Sequence, residues 1–239
     1  GDSASIGLGQ FAHAMRRGVR MVYIVENNGV YGLTKGQFSA TADRGSKSKK
    51  GAVNNDNPVD MVGMALQLGA TFVARSFSGD KAQLTPLIKA ALQHKGAAFI
   101  DCISPCIQFN NHAGSTKSFD YVREHNEAVN RLDYVVGRDP IEVDYEPGTN
   151  TLVTQHDGSV LNLHKLAAHY DPTDRIAAMT YLQERQAAGE VVTGLLYVDP
   201  TAEDLHENLE TIEAPLNSLG TKDLVPGSGA LARINAGLR

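Results

Sequence analysis

Residues Glu26-Asn27-Asn28-Gly29-Val30-Tyr31-Gly32-Leu33-Thr34-Lys35-Gly36-Gln37 are too polar and too rich in glycine to be core. They offer amide oxygens, backbone carbonyls on a flexible chain, and one cation. A hard divalent ion such as Mg2+ takes oxygen ligands in octahedral geometry and is usually shared with cofactor or substrate phosphates. Asn28 can give a neutral oxygen, and the carbonyl two residues on, at Val30, can give another. Upstream, Gly1-Asp2-Ser3 stands before the first helix of the pattern, where backbone N–H groups and the helix dipole suit a pyrophosphate.

The elements that must position these groups are legible in the first hundred residues. Leu8, Phe11, Ala12 and Met15 repeat at helical spacing, as do Met61, Met64, Ala65 and Leu68, and then Leu84, Leu87, Ile88 and Ala91. Between them lie short runs, Arg20 to Val25, Thr71 to Ala74 and Ala97 to Ile103, that are apolar without alternation. Strands covered on both faces read this way. Gly18 is expected to close the first helix, Asn57-Pro58 to open the second as cap and first-turn proline, and Gly96 to end the third. Helix and strand in alternation predict an α/β fold with a doubly wound, mostly parallel sheet, whose ligands bind beyond the carboxyl ends of the strands. The loop after Val25 lies at such an end.

From Ser104 onward the pattern becomes polar and irregular. A hairpin is expected around His156-Asp157-Gly158-Ser159, a helix near Arg175 to Ala188 and a strand from Val191 to Tyr197. Pro200 to Arg239 has few large apolar residues at regular spacing and reads as an arm that packs on another surface, a partner subunit, with a disordered tail as the alternative. The expected division is therefore an α/β domain over 1–125 and an irregular extension with a packing arm over 126–239.

Composition narrows the function classes. The chain has 239 residues, 42% of them apolar, enough for a full core. Its longest apolar runs are strand-sized, well short of the roughly 20 residues needed to cross a bilayer, and no signal peptide is visible. A net charge of −5 with scattered basic residues argues against nucleic acid as a partner. The exception is Ser46-Lys47-Ser48-Lys49-Lys50, either a solvated loop or a contact for an anionic ligand. Two cysteines, Cys102 and Cys106, are too few for a disulfide framework and suit a reducing cytoplasm. The histidines, His164 and His169 included, read as surface or packing residues, and no Ser-His-Asp or paired-carboxylate arrangement follows from spacing.

A Gly-Asp pair, a helix, a strand and then Asn-Asn resembles the thiamine diphosphate motif, GDG followed by about 25 residues and NN. Taking Gly1 as the third motif position leaves 25 residues, Asp2 to Glu26, before Asn27, against 23 if Gly1-Asp2-Ser3 is the whole GDG. The metal-binding aspartate of the motif would then fall just before residue 1. His13-Ala14-Met15-Arg16-Arg17 and the loop Tyr31 to Gln37, YGLTKGQ, are similar to the beta subunits of 2-oxoacid:ferredoxin oxidoreductases, most of all the 2-oxoglutarate type. Where that loop usually continues to SPT, this chain has Ser39-Ala40-Thr41, a change of loop stiffness.

The resemblance implies thiamine diphosphate and Mg2+, with Asn28 and the Val30 carbonyl on the metal, Gly1 and Asp2 beside the diphosphate, and Tyr31, Gly32, Leu33 and Thr34 along the cofactor. It implies that Lys35 faces the substrate carboxylate or coenzyme A. It makes Cys106, in Ser104-Pro105-Cys106, one ligand of a [4Fe-4S] cluster whose other ligands precede this sequence, and leaves Cys102 in the core. The implied reaction is oxidative decarboxylation of 2-oxoglutarate or a related 2-oxoacid with coenzyme A, electrons passing to ferredoxin. The implied assembly is a dimer of alpha–beta heterodimers in the cytoplasm, active only with the alpha subunit. Two alternatives stay open: a non-oxidative thiamine diphosphate decarboxylase or synthase, and a non-catalytic scaffold subunit.

Overall fold

The structure, a computed structural model, describes residues 1–129, 134–135, 141–142, 150–154, 160–164, 170–189, 191–225 and 227–238. A π turn, Asp2–Ile6, leads into α1 (Leu8–Arg16) and β1 (Met21–Asn27), followed by the short strands β2 (Val30–Tyr31) and β3 (Gln37–Phe38). Then come α2 (Met61–Gln67), β4 (Phe72–Phe77), α3 (Lys81–Gln93), β5 (Ala97–Ile103) and α4 (Phe119–His125). Strands β6 (Asn126–Val129), β7 (Tyr134–Val135), β8 (Ile141–Glu142), β9 (Asn150–Thr154) and β10 (Val160–His164) precede α5 (Arg175–Ala187) and β11 (Val191–Val198). The chain ends with α6 (Leu205–Asn208), α7 (Thr221–Leu224) and α8 (Ser228–Gly237).

Strand parity explains the layering. On β4 and β5 the side chains of Val73, Ala97 and Phe99 share one face with Phe11 and Met15 of α1, Val62 and Leu66 of α2, and Ala178 and Leu182 of α5. Phe72, Ala74, Ala98 and Ile100 point the other way and meet Leu87 and Ala91 of α3. Successive strand residues face opposite sides, so an unbroken apolar run needs helices on both. Phe99 is fully buried and stacks edge-on against Phe11, with ring centroids 5.1 Å apart.

The main sheet has seven strands in the order β1-β5-β4-β11-β6-β10-β9. Pairs β1–β5, β4–β5, β11–β6 and β10–β6 are parallel, whereas β11 runs antiparallel to β4 and β9 antiparallel to β10. The sheet is mixed and mostly parallel, as expected. Because β11 hydrogen-bonds to β4, the sheet continues past the expected boundary at 125/126. Residues Gly1–Leu205 form one compact unit and His206–Arg239 a second. The turn expected at 156–159 lies outside the described residues, but its flanking strands pair with Val160 opposite Thr154.

Three local expectations are corrected. α2 is capped by Asp60, whose carboxylate accepts from the Val62 N–H, not by Asn57-Pro58; the same carboxylate holds Arg75, so packing and capping coincide there. α3 starts at an Asp80 cap and ends at His94 rather than Gly96; the space a Cβ would need at Gly96 is taken by the Thr71 hydroxyl. Finally, β1 is not covered on both faces. Among the described residues it is one of the two edge strands of this sheet, and Ile24 remains 41% exposed. Gly18 does follow α1 with φ +62°, its N–H donating to the Met15 carbonyl, as a glycine C′ residue does.

The segment expected to be a packing arm carries the short helices α6, α7 and α8. Leu231, Ile234 and Leu238, at helical spacing on and just after α8, are exposed. Among the described residues, no helix is long and apolar enough to cross a membrane.

Candidate functional site

The carboxyl end of β1 delivers Asn27 and Asn28 to a loop that short polar bonds hold still. The Asn28 Oδ1 accepts from the Val30 N–H at 3.0 Å, and the Asn28 carbonyl accepts from Asn110 Nδ2 at 2.8 Å. Gly29 between them has φ +69°, and a Cβ there would come within 3.0 Å of Asn110 Nδ2 and 3.2 Å of Lys117 Cγ. A side chain would thus be strained by backbone and neighbours alike. Asn110 is itself fixed, its Oδ1 accepting from Ser115 Oγ at 2.8 Å.

Beyond Val30 the chain folds into a small hairpin, with Val30 paired to Phe38 and Tyr31 to Gln37. Its tip turns on Lys35 and Gly36, both with positive φ, and the Gly36 N–H returns to the Tyr31 carbonyl at 2.9 Å. A non-glycine residue at φ +76°, as Lys35 is, sits in a sparsely populated region that bound or catalytic loops often use. Gly36 is pressed against Phe109, where a Cβ would lie 2.8 Å from the ring-bearing carbon.

The π turn closes the other side. The Ser5 hydroxyl donates to the Gly1 carbonyl at 2.7 Å and shares a 2.5 Å hydrogen bond with the Tyr31 hydroxyl. Gly1 lies under the Tyr31 ring, with 2.5 Å between the position of a Cβ and Tyr31 Cδ1. Between the two halves is a cavity of about 490 Å³ bounded by Gly1, Asp2 and Ser3 on one side, Asn28, Val30 and Gly32 on the other, and the exposed edge of β1 from Ile24 to Glu26. Residues far apart in sequence thus meet around one polar space. Leu33, 99% exposed, and the exposed Thr34 and Lys35 project from the hairpin tip and do not line this cavity.

The oxygen-rich rim fits a hard cation shared with a phosphate. Asn28 and Val30 bring an amide and a carbonyl oxygen, Asp2 brings a carboxylate, and the absent side chain of Gly32, where a Cβ would meet nothing within 4 Å, leaves room for a diphosphate. Among the described residues no cluster of three His, Cys, Asp or Glu side chains forms a metal site.

Cys106 is half-buried at the start of a turn after β5, its carbonyl accepting from the Asn110 N–H at 2.7 Å. Through Asn110 and Phe109 this turn is tied to both Asn28 and the hairpin. Cys102, inside β5, is buried, and burial together with Asp101 and Glu26 pushes its thiol up to about 12. Such a thiol is chemically quiet.

A second, more enclosed space of about 330 Å³ lies beyond the strand ends, lined among others by Asn27, Asp43, Asp60, Arg75, Asp101 and Lys117. Arg75 bridges Asp60 at 2.8 Å and Asp101 at 2.9 Å, and Lys117 pairs with Asp43 at 2.9 Å. Burial opposes the charge on Arg75, but the two carboxylates outweigh it and raise its pKa. Asn27 donates to Asp101 Oδ1 at 3.0 Å, while its own Oδ1, in a side chain only 6% exposed, has no protein partner. The pattern of residue types gave no sign of this network or of Asn110, because each member is ordinary until its neighbours are known.

The cavity at the end of β1 lies within residues 1–102, and these match the thiamine pyrophosphate enzyme, C-terminal TPP binding domain. Residues 160–214 match the C-terminal family of the pyruvate ferredoxin oxidoreductase beta subunit. More particularly, the chain is similar to 2-oxoacid:ferredoxin oxidoreductase beta subunits. It is 42% identical to that subunit of Saccharolobus solfataricus over 144 residues, 59% of this chain and 44% of the relative. It is 38% identical over 142 residues to the 2-oxoglutarate oxidoreductase subunit KorB of Mycobacterium tuberculosis, covering 59% of this chain and 36% of that one. The chain thus spans less than half the length of each of these two relatives. A solved 2-oxoglutarate:ferredoxin oxidoreductase from Magnetococcus marinus, with 2-oxoglutarate, coenzyme A and succinyl-CoA bound, superposes with TM-score 0.67 at 27% identity over 98% of this chain and 64% of that chain.

Proposed function

We propose that this chain is the cofactor-holding part of a 2-oxoacid:ferredoxin oxidoreductase beta subunit. With an alpha subunit it would convert 2-oxoglutarate, or a related 2-oxoacid, and coenzyme A to acyl-CoA and CO2, passing electrons through a [4Fe-4S] cluster to ferredoxin. The observation that carries the reading is the cavity in which Gly1 and Asp2 face Asn28, Val30 and Gly32. Supporting it are the relatives themselves, which are 2-oxoacid:ferredoxin and 2-oxoglutarate oxidoreductase subunits.

Bound thiamine diphosphate supplies the nucleophilic carbon and the electron sink that decarboxylation needs. The chain's own residues bind and orient. Asn28 Oδ1 and the Val30 carbonyl would hold Mg2+, whose charge would offset that of the diphosphate. Gly1 and Asp2 line the diphosphate space on the side opposite Asn28. Tyr31 and Gly32 wall the cofactor on the hairpin side, and Leu33 and Thr34 complete that wall from the hairpin tip once the alpha subunit lies over it. Lys35 offers its ammonium to the substrate carboxylate or to coenzyme A. Cys106 would be one ligand of the iron–sulfur cluster. The assembly is a dimer of alpha–beta heterodimers, working in the cytoplasm.

The test uses the full-length beta subunit with its alpha subunit. Coenzyme A-dependent reduction of methyl viologen by 2-oxoglutarate is the expected result, with iron and inorganic sulfide in the purified complex. A cluster-free complex that still decarboxylates the oxoacid would replace this reading with the non-oxidative decarboxylase. No turnover of any 2-oxoacid would leave a scaffold subunit.

A further inference from the structure

The lysine-rich segment that composition left between solvated loop and anion contact is a built surface. Gly45 donates its N–H to the Asn54 carbonyl at 2.8 Å, Asn54 returns its N–H to the Ser46 carbonyl at 2.9 Å, and Ser48 donates to Ala52 at 2.8 Å. Lys47 bridges Val53 across this small hairpin. Two interior side chains lock it. Ser46, 2% exposed, accepts from the Thr116 N–H, and the buried Asn54 amide donates to the carbonyls of Ala42 and Asp43. Lys47, Lys49 and Lys50 are exposed on this frame.

The frame is fastened to the segment that carries Cys106. The Lys47 N–H donates to the Gly114 carbonyl at 2.9 Å, and the Lys49 ammonium donates to the carbonyl of Gln108, two residues from Cys106. Beside them Ile107 is 75% exposed. Asp43, the acidic group nearest in sequence, is taken up by Lys117 at 2.9 Å and by the Thr116 hydroxyl at 2.6 Å. In a chain of net charge −5, three cations in four residues therefore stand on one hydrogen-bonded frame tied next to the exposed Ile107.

We propose that Lys47, Lys49, Lys50 and Ile107 form the docking surface for the electron acceptor, a small acidic one-electron carrier protein. The proposal rests on the reading of Cys106 as a cluster ligand. Oxidation of a 2-oxoacid with coenzyme A releases CO2, one proton and two electrons, so two carriers must each take one electron from the reduced cluster and leave. Transient redox contacts are small, below about 1,200 Å². They are steered by complementary charge, which raises the on-rate and falls with ionic strength. Spaced exposed cations with an exposed apolar side chain on the adjoining turn suit such a protein face. A free phosphate would be better held in a closed pocket.

The experiment compares two acceptors in the complete alpha–beta enzyme carrying K47E/K49E/K50E. With an acidic ferredoxin, kcat/KM should fall at least tenfold and lose its dependence on salt between 20 and 200 mM (about tenfold changes in on-rate accompany such steering). Methyl viologen reduction and the KM values for 2-oxoacid and coenzyme A should stay the same. The double variant K47E/K50E, which keeps the Lys49 contact to Gln108, should show the same selective loss. Unchanged ferredoxin kinetics would overturn the proposal. So would a raised KM for coenzyme A with viologen, which assigns the lysines to that anion, or loss of the co-purified alpha subunit, which assigns them to the subunit interface. Absence of viologen reduction in the unaltered enzyme would instead remove the underlying reading, and the docking surface with it.

Discussion

Asn28 owes its orientation to Asn110, whose amide grips the Asn28 carbonyl from a different loop. Partners that orient a ligating residue typically affect metal affinity by 10–100-fold. Asn110→Ala should therefore weaken Mg2+-dependent thiamine diphosphate binding by roughly that factor, and Asn28→Ala should weaken it further, both read by calorimetric titration. Equal affinity in the N110A protein would dissociate Asn110 from the site. Lys35→Ala should raise the apparent KM for the oxoacid or coenzyme A strongly with a smaller change in kcat, as loss of a binding contact does. Unchanged kinetics would remove Lys35 from the site.

The two cysteines make a residue-scale contrast. With its thiol pushed up to about 12, Cys102 carries almost no thiolate at neutral pH. In cluster-free native protein, iodoacetamide at pH 8 should label the half-exposed Cys106 and spare Cys102, and both should react in urea. Mass spectrometry of the labelled peptides decides it. Early labelling of Cys102 would show that β5 opens more readily than its burial implies.

At the scale of elements, β4 and β5 bear the molecule. Arg75 on β4 crosses to Asp101 on β5 and to the Asp60 cap of α2, so one guanidinium joins two strands and a helix start. Replacing it by Met leaves two partly or wholly buried carboxylates unpaired, which should cost about 3–5 kcal/mol. Phe99→Ala, removing a fully buried ring from the face shared by α1, α2 and α5, should cost a similar amount, about 3–5 kcal/mol. Chemical denaturation reads both. A cost under 1 kcal/mol for R75M would mean that the network is relieved by water in the adjoining cavity.

Helix identity was legible at this scale because apolar stripes repeat with the helical period, and β5 was placed at Ala97–Ile103 from composition alone. The edge character of β1 was not, since Met21-Val22-Tyr23-Ile24-Val25 is as apolar as a central strand. What decides it is the sheet order, in which β1 has one neighbour among the described residues. The same is true of Asp60: any of several polar residues before Met61 could cap α2, and Arg75 selects among them.

For the whole molecule, stability should depend on pH through His94, which ties Thr71, at the start of β4, to the end of α3 at 2.8 Å. Burial lowers its pKa below the usual histidine value of 6.5, only partly offset by Asp199. The folded state therefore prefers neutral imidazole. Its contribution is complete above pH 6.5 and is lost as pH falls toward the lower native value. Thermal melts between pH 7.5 and 5.5 should show a declining midpoint, flattened in His94→Gln. A midpoint that rises on acidification would contradict the assignment.

What the sequence determined by itself was the local chemistry: which loop is polar enough to hold a cofactor, that Asn28 and the Val30 carbonyl can offer oxygens there, and which segments are helix or strand. These follow from residue type and near-neighbour spacing, which act over a few residues. Only the tertiary structure decided that Gly1 meets Tyr31 through Ser5, that Asn110 fixes Asn28, that Arg75 closes a network with Asp60 and Asp101, and that the lysines of 47–50 are fastened beside Cys106. Each of these joins residues from 15 to 82 positions apart. Hydrogen bonds and ion pairs of that kind exist only once the sheet has set the distances, so no spacing rule could announce them.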